Sequence, residues 1–118
     1  MTQQNTELPI FVKWYDLLKK IMLTTDKFPK STRFTFVDRI QNLCLEGLSD
    51  LVEARYSQAK LKHLNDLNLK IENLRVLLRL CHELGHLPHK PYEATSRELG
   101  EIGRMLGGWI AQQKSQHG

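Results

Sequence analysis

Apolar residues return at spacings of three and four in four separate stretches of the chain. From Leu8 to about Thr25, Phe11, Trp14, Leu18 and Ile21 make one stripe, widened by Ile10 and Leu17, so this stretch predicts an amphipathic helix. Pro29 ends it, because proline lacks a backbone donor and disfavours helix at Phe28. Ser31, Thr32 or Thr35 can cap the next start, and Thr35 with Asp38 has the spacing of a capping box. The second helix runs from about Arg33 to Tyr56, with Phe36, Ile40, Leu43, Gly47, Leu51 and Ala54 on its apolar side. A glycine inside a helix costs about 1 kcal/mol relative to alanine, so Gly47 predicts a neighbour packed closely against it.

The third pattern, from about Gln58 to Leu84, is the most regular: Leu64, Leu67, Ile71, Leu74, Leu78 and Cys81. Gly85 and then Pro88 supply stop signals in the expected order. The fourth helix starts near Pro91, a favourable first-turn residue, and Leu99, Ile102, Leu106 and Trp109 carry its stripe toward Ala111. The polar tail, residues 112–118, is expected to fray. No stretch alternates with the period of a strand. Four helices with short connections predict an all-α fold, an antiparallel up-down-up-down four-helix bundle in a single domain over residues 1–118.

Composition narrows the class further. A chain of 118 residues, 41% hydrophobic, is long enough for one core without staples, and Cys44 and Cys81 sit far apart on apolar stripes, which predicts buried free thiols. No segment approaches the roughly 18 apolar residues that span a bilayer, and Met1 to Asp16 has no signal-peptide pattern, so a cytoplasmic protein without membrane contact is expected. Seventeen Lys and Arg against thirteen Asp and Glu give a net charge of +4, which favours an anionic partner.

Several smaller patterns carry candidate chemistry. Arg75, Arg79, His82 and His86 make a basic stripe beside the third leucine seam, with Lys60, Lys62 and Lys70 adding charge nearby. A guanidinium offers forked donors to phosphate, so the stripe is a candidate phosphate-contacting surface; as a solvated face it would carry a Glu72 pair to Arg75 or Arg79. No aromatic is interleaved with it, which points to backbone contact and away from base stacking. On the fourth helix, Ser96, Gly100, Gly103, Gly107 and Ala111 form a stripe of small residues. Three glycines facing water would cost about 3 kcal/mol of helix propensity, so this face predicts close packing against a helix of the bundle or against another subunit. Glu93, Arg97, Glu101 and Arg104 have the spacing of a structural ion-pair ladder.

The string from His82 through Glu83 to His86 matches the zinc-peptidase pattern HExxH. The extended form of that motif would need glycine at position 89 and histidine at position 92, where this chain has His89 and Tyr92, and four packed helices leave no sheet edge to align a peptide. A zinc-dependent hydrolase acting through His82, Glu83 and His86 is therefore a minor alternative. No catalytic residue, resident metal or cofactor is expected.

Three stretches carry a family resemblance: Arg33 to Ile40 (RFTFVDRI), Leu74 to Leu80 (LRVLLRL), and Glu101 to Ile110 (EIGRMLGGWI). Together they resemble the accessory variability determinant (Avd) proteins of diversity-generating retroelements, within a four-helix-bundle superfamily that also includes proteins encoded in ribosomal-RNA intervening sequences. The likeness extends from about Leu8 to Gln113. It implies a homopentameric ring and no catalytic residues. It also implies partners: the retroelement reverse transcriptase and its template RNA, with DNA reached through the same phosphate contacts, in support of mutagenic cDNA synthesis. Arg75 and Arg79 are the positions the resemblance carries over as contacts, and Gly100, Gly103 and Gly107 could serve ring closure. Five copies at +4 would place about +20 on one ring. The tail after Ile110 holds only Lys114 as a full positive charge, which argues against tail-mediated binding. The alternative is an intervening-sequence-type bundle with an RNA-associated or structural interaction role, and genomic neighbourhood separates the two.

Overall fold

The computed structural model describes residues 4–117, and the chain is all-helical over them. The elements are α1 (Gln4–Thr25), α2 (Asp38–Tyr56), α3 (Lys60–Glu83) and α4 (His89–His117), with a 3-10 turn (Lys30–Thr32) and a π-helical turn (Arg33–Val37) before α2. Each helix packs against the next, and α4 returns to pack against α1, closing four helices around one core. The stripes meet there: Trp14, Ile21, Ile40, Leu67, Leu74 and Leu106 are each at most 1% exposed. Both cysteines are buried free thiols.

Gly47 has the close neighbour its position calls for. A Cβ built on it would collide with Cζ2 of Trp14 and stand 3.1 Å from Leu67 Cδ1. The Trp14 indole donates from Nε1 to the Cys44 carbonyl at 3.0 Å, satisfying the one polar atom that burying a tryptophan side chain brings with it.

The start of α2 differs from the expected capping box. Thr35 Oγ1 turns back to the Thr32 carbonyl at 3.3 Å, and Thr32 Oγ1 to the Pro29 carbonyl at 2.7 Å. The 3-10 and π turns run straight into α2, so the amide of Asp38 already donates to Arg33 O and no free helix start remains to be capped. At the end of α3 the amides of Gly85 and His86 donate to His82 O at 3.0 Å and Cys81 O at 2.9 Å, with Gly85 at φ +85°. This is a Schellman close, and it requires the left-handed conformation that glycine adopts without strain.

The fourth helix is longer than its stripe suggests. It begins at His89, with Pro91 in the first turn, and continues to His117 in place of fraying after Ala111. Gln113, 7% exposed, is held in the packed side of this extension. Phe28 and Leu87, 7% and 1% exposed, close the end of the core where the two connections meet.

Candidate nucleic-acid interface

The residues named from the basic stripe divide into those committed to structure and those left available. Lys60 is committed: its ammonium donates to the carbonyls of Ala54 and Arg55 at 2.6 and 3.0 Å, capping the end of α2. Lys70 reaches across to Asp50 of α2 at 2.8 Å, and both side chains are largely buried. The carboxylates of Asp50 and Asp66 and the His63 ring lie within 4.8 Å of one another beside that ammonium. Lys62 pairs with Asp66 at 3.2 Å, one turn along the same helix and well exposed.

Arg75 lies on the side of α3 that faces α4, and Arg79 follows it one turn later. Arg75 Nε stands 3.6 Å from Glu72 Oε2, a loose pair with both partners exposed. Its guanidinium spreads over α4: Nη2 is 3.8 Å from where a Cβ of Gly100 would be and 3.7 Å from that of Gly103. No backbone of a neighbouring helix meets either glycine. Gly107 and Gly108 have nothing within 4 Å of a built Cβ. Within one chain, then, the small-residue stripe makes room for an arginine and does not seat a helix. Arg79 is exposed and makes no ion pair among the described residues.

The expected ladder along α4 resolves differently. Of its acids, Glu101 turns to α1 and meets Lys13 at 3.0 Å while Glu93 makes no ion pair among the described residues; Glu98, outside the ladder, meets Lys20 at 2.6 Å. The Lys13 hydrogen bond holds the Glu101 carboxyl below the usual carboxylate range, and Glu98 raises Lys20 above the usual lysine value. The acids thus bind the α1–α4 seam together and leave Arg97 and Arg104 without an ion pair among the described residues.

His82, Glu83 and His86 do not form a metal-binding helix face. The helix ends at Glu83, and the turn at Gly85 carries His86 away to rest against Phe28 and Phe36, with ring centroids 6.2 and 5.9 Å apart. His82 stacks on Tyr92 at 4.4 Å, and its Nδ1 donates to the Leu87 carbonyl at 2.9 Å. Both rings brace the connection between α3 and α4. The zinc alternative required two histidines one helical turn apart with free nitrogens on one side, and this turn does not provide that arrangement.

One basic group lies outside the stripe named from sequence. Lys27, Lys30, Arg33 and Arg39 are exposed around the connection between α1 and α2, and none makes an ion pair among the described residues. Sequence periodicity does not isolate them, because they belong to a turn and a helix start with no repeating stripe.

Four helices, an Arg75 laid over α4 glycines and a Trp109 buried at 2% are features of the segments that carried the resemblance. The family model for bAvd-like proteins matches residues 8–113. The chain belongs to the bAvd-like family. The match covers the packed parts of all four helices and both connections near the Phe28–Leu87 end, and stops within the last turns of α4. No curated protein matches the chain. Among the described residues of this bAvd-like chain, no helix is long and apolar enough to cross a membrane.

Proposed function

We propose that this bAvd-like protein is a non-catalytic accessory subunit of a diversity-generating retroelement. In this reading it binds the reverse transcriptase and its template RNA in the cytoplasm and supports mutagenic cDNA synthesis. The polymerase performs nucleotidyl transfer, and the bundle supplies positively charged surface. The observation that carries the reading is the state of the outer arginines on a chain of this family. Arg79 is exposed with no acid partner among the described residues, and Arg75 is held only by a loose 3.6 Å contact to Glu72. Both guanidinium groups are therefore free to exchange water and counterions for phosphate.

Affinity from so few contacts needs repetition. An up-down-up-down bundle assembled as a homopentameric ring would multiply the +4 of one chain to about +20. The glycine face supports such an assembly, since nothing in the chain itself packs on Gly107 or Gly108 to offset their low helix propensity. In this account that face meets a second copy.

The test is co-purification of the tagged protein with the reverse transcriptase encoded beside it, together with RNA binding across a salt series. Association with the polymerase and an affinity that falls with added salt support the reading. A protein that captures neither polymerase nor RNA contradicts it.

A further inference from the structure

The connection between α1 and α2 contains Phe28, Phe34 and Phe36, and the structure treats them unequally. Phe28 is 7% exposed, and both Phe28 and Phe36 lie against the His86 ring. Phe34 is 83% exposed, the most exposed large apolar side chain among the described residues. Its backbone is part of the π-helical turn Arg33–Val37, a wide turn found mostly as single insertions in helices and often at functional positions. The ring therefore presents its surface to solvent from a rigid helical backbone.

The cations of the same connection and of the start of α2 are equally unsettled. Lys27, Lys30, Arg33 and Arg39 are exposed and unpaired among the described residues, in contrast to Lys60 and Lys70, whose ammonium groups are fixed to the fold. Lys30 and Arg33 line a hollow of about 150 Å³ with Thr25, Asp26, Asp38 and Gln41. Asp26 and Asp38 offset two of the four cations, so this segment keeps a surplus of two positive charges, with Arg33 next to Phe34 in the chain.

An exposed aromatic ring on a segment with surplus positive charge matches what an unpaired nucleotide requires: a surface on which the base stacks and donors for the flanking phosphates. A duplex buries its base faces in its own stack and cannot use the ring. We propose that Phe34 is a stacking platform for an unpaired base of single-stranded nucleic acid, with Lys27, Lys30, Arg33 and Arg39 holding the adjacent phosphates. The site shares no residue with the Arg75 and Arg79 surface, which the proposed function assigns to phosphates alone. The proposal rests on the reading that the protein binds nucleic acid, and adds to it a preference for unpaired segments.

The test uses the full chain with a labelled single-stranded RNA and a duplex RNA of equal length, comparing Phe34→Ala and Phe34→Trp with the unaltered protein. Because the side chain is exposed, both variants keep the helical content, checked by circular dichroism. Phe34→Ala should weaken single-strand binding roughly tenfold or more and leave duplex binding unchanged. Phe34→Trp should preserve single-strand affinity, and its introduced indole should be quenched by the RNA. That signal is resolvable because Trp14 and Trp109 are 0% and 2% exposed. Single-strand affinity unaltered in Phe34→Ala, or an indole that RNA does not quench, overturns the platform, including the case in which the same variant loses a protein partner instead. If the unaltered protein binds no RNA at all, the functional reading fails as well; if it binds and Phe34 does not matter, only the platform falls.

Discussion

The indole of Trp14 occupies the space in which a Cβ of Gly47 would stand, and it uses that proximity to donate a hydrogen bond to the Cys44 carbonyl. Gly47→Ala should therefore destabilise the fold. Alanine recovers about 1 kcal/mol of helix propensity, and displacing a buried indole from its partners costs about 1–3 kcal/mol, so a net loss of up to roughly 2 kcal/mol is expected. Urea unfolding followed by tryptophan fluorescence measures it. A variant more stable than the parent would show that the indole moves aside freely.

Gly107 is the opposite case, since a side chain there meets nothing within the chain. Gly107→Leu should keep or raise the helical content, because leucine propagates a helix better than glycine by roughly 0.5–1 kcal/mol. Its effect belongs to assembly: light scattering should report a smaller particle than the parent forms. An assembly of unchanged size would remove the glycine face from the subunit contact.

Both thiols resist ionisation because burial disfavours the thiolate, Cys44 pushed up to about 12 and Cys81 to about 11. In the folded protein neither should react with a thiol reagent at pH 8, and both should react once guanidinium unfolds the chain. The same shifts have a sign for stability. Thiols of the unfolded chain ionise above about pH 9 while the folded ones stay protonated, so stability falls as pH rises from about 9 toward 11. Rapid labelling at pH 8 without denaturant would contradict the burial of these groups.

The helices were legible because each core stripe is a local repeat, from Phe11 to Ile21 and from Leu64 to Cys81. Gly85 and Pro88 likewise carry their stop signals in themselves, and the backbone turns at Gly85. What was not legible depends on contacts across the fold. The spacing of Glu93, Arg97, Glu101 and Arg104 says nothing of Lys13 on another helix, which claims Glu101. The apolar spacing places Phe36 on the core side and leaves Phe34 off it, as the structure has them, but it does not announce the π turn at Arg33–Val37 that carries both. Lys60 shows the same limit: a lysine in a basic run looks available until the carbonyls of Ala54 and Arg55 are seen around it.

The proposed function has guanidinium groups on the α3 surface grip RNA phosphates while another protein does the chemistry. Its most direct test is the salt dependence of RNA affinity for the parent and for Arg75→Ala combined with Arg79→Ala, with helicity and particle size verified for both. Each single-strand phosphate contact contributes about 0.7 to the slope of log affinity against log salt, so removing two per chain should flatten the slope by about 1.4 for each chain engaged and weaken binding at low salt. A double variant with the parent's slope and the parent's affinity would contradict the account.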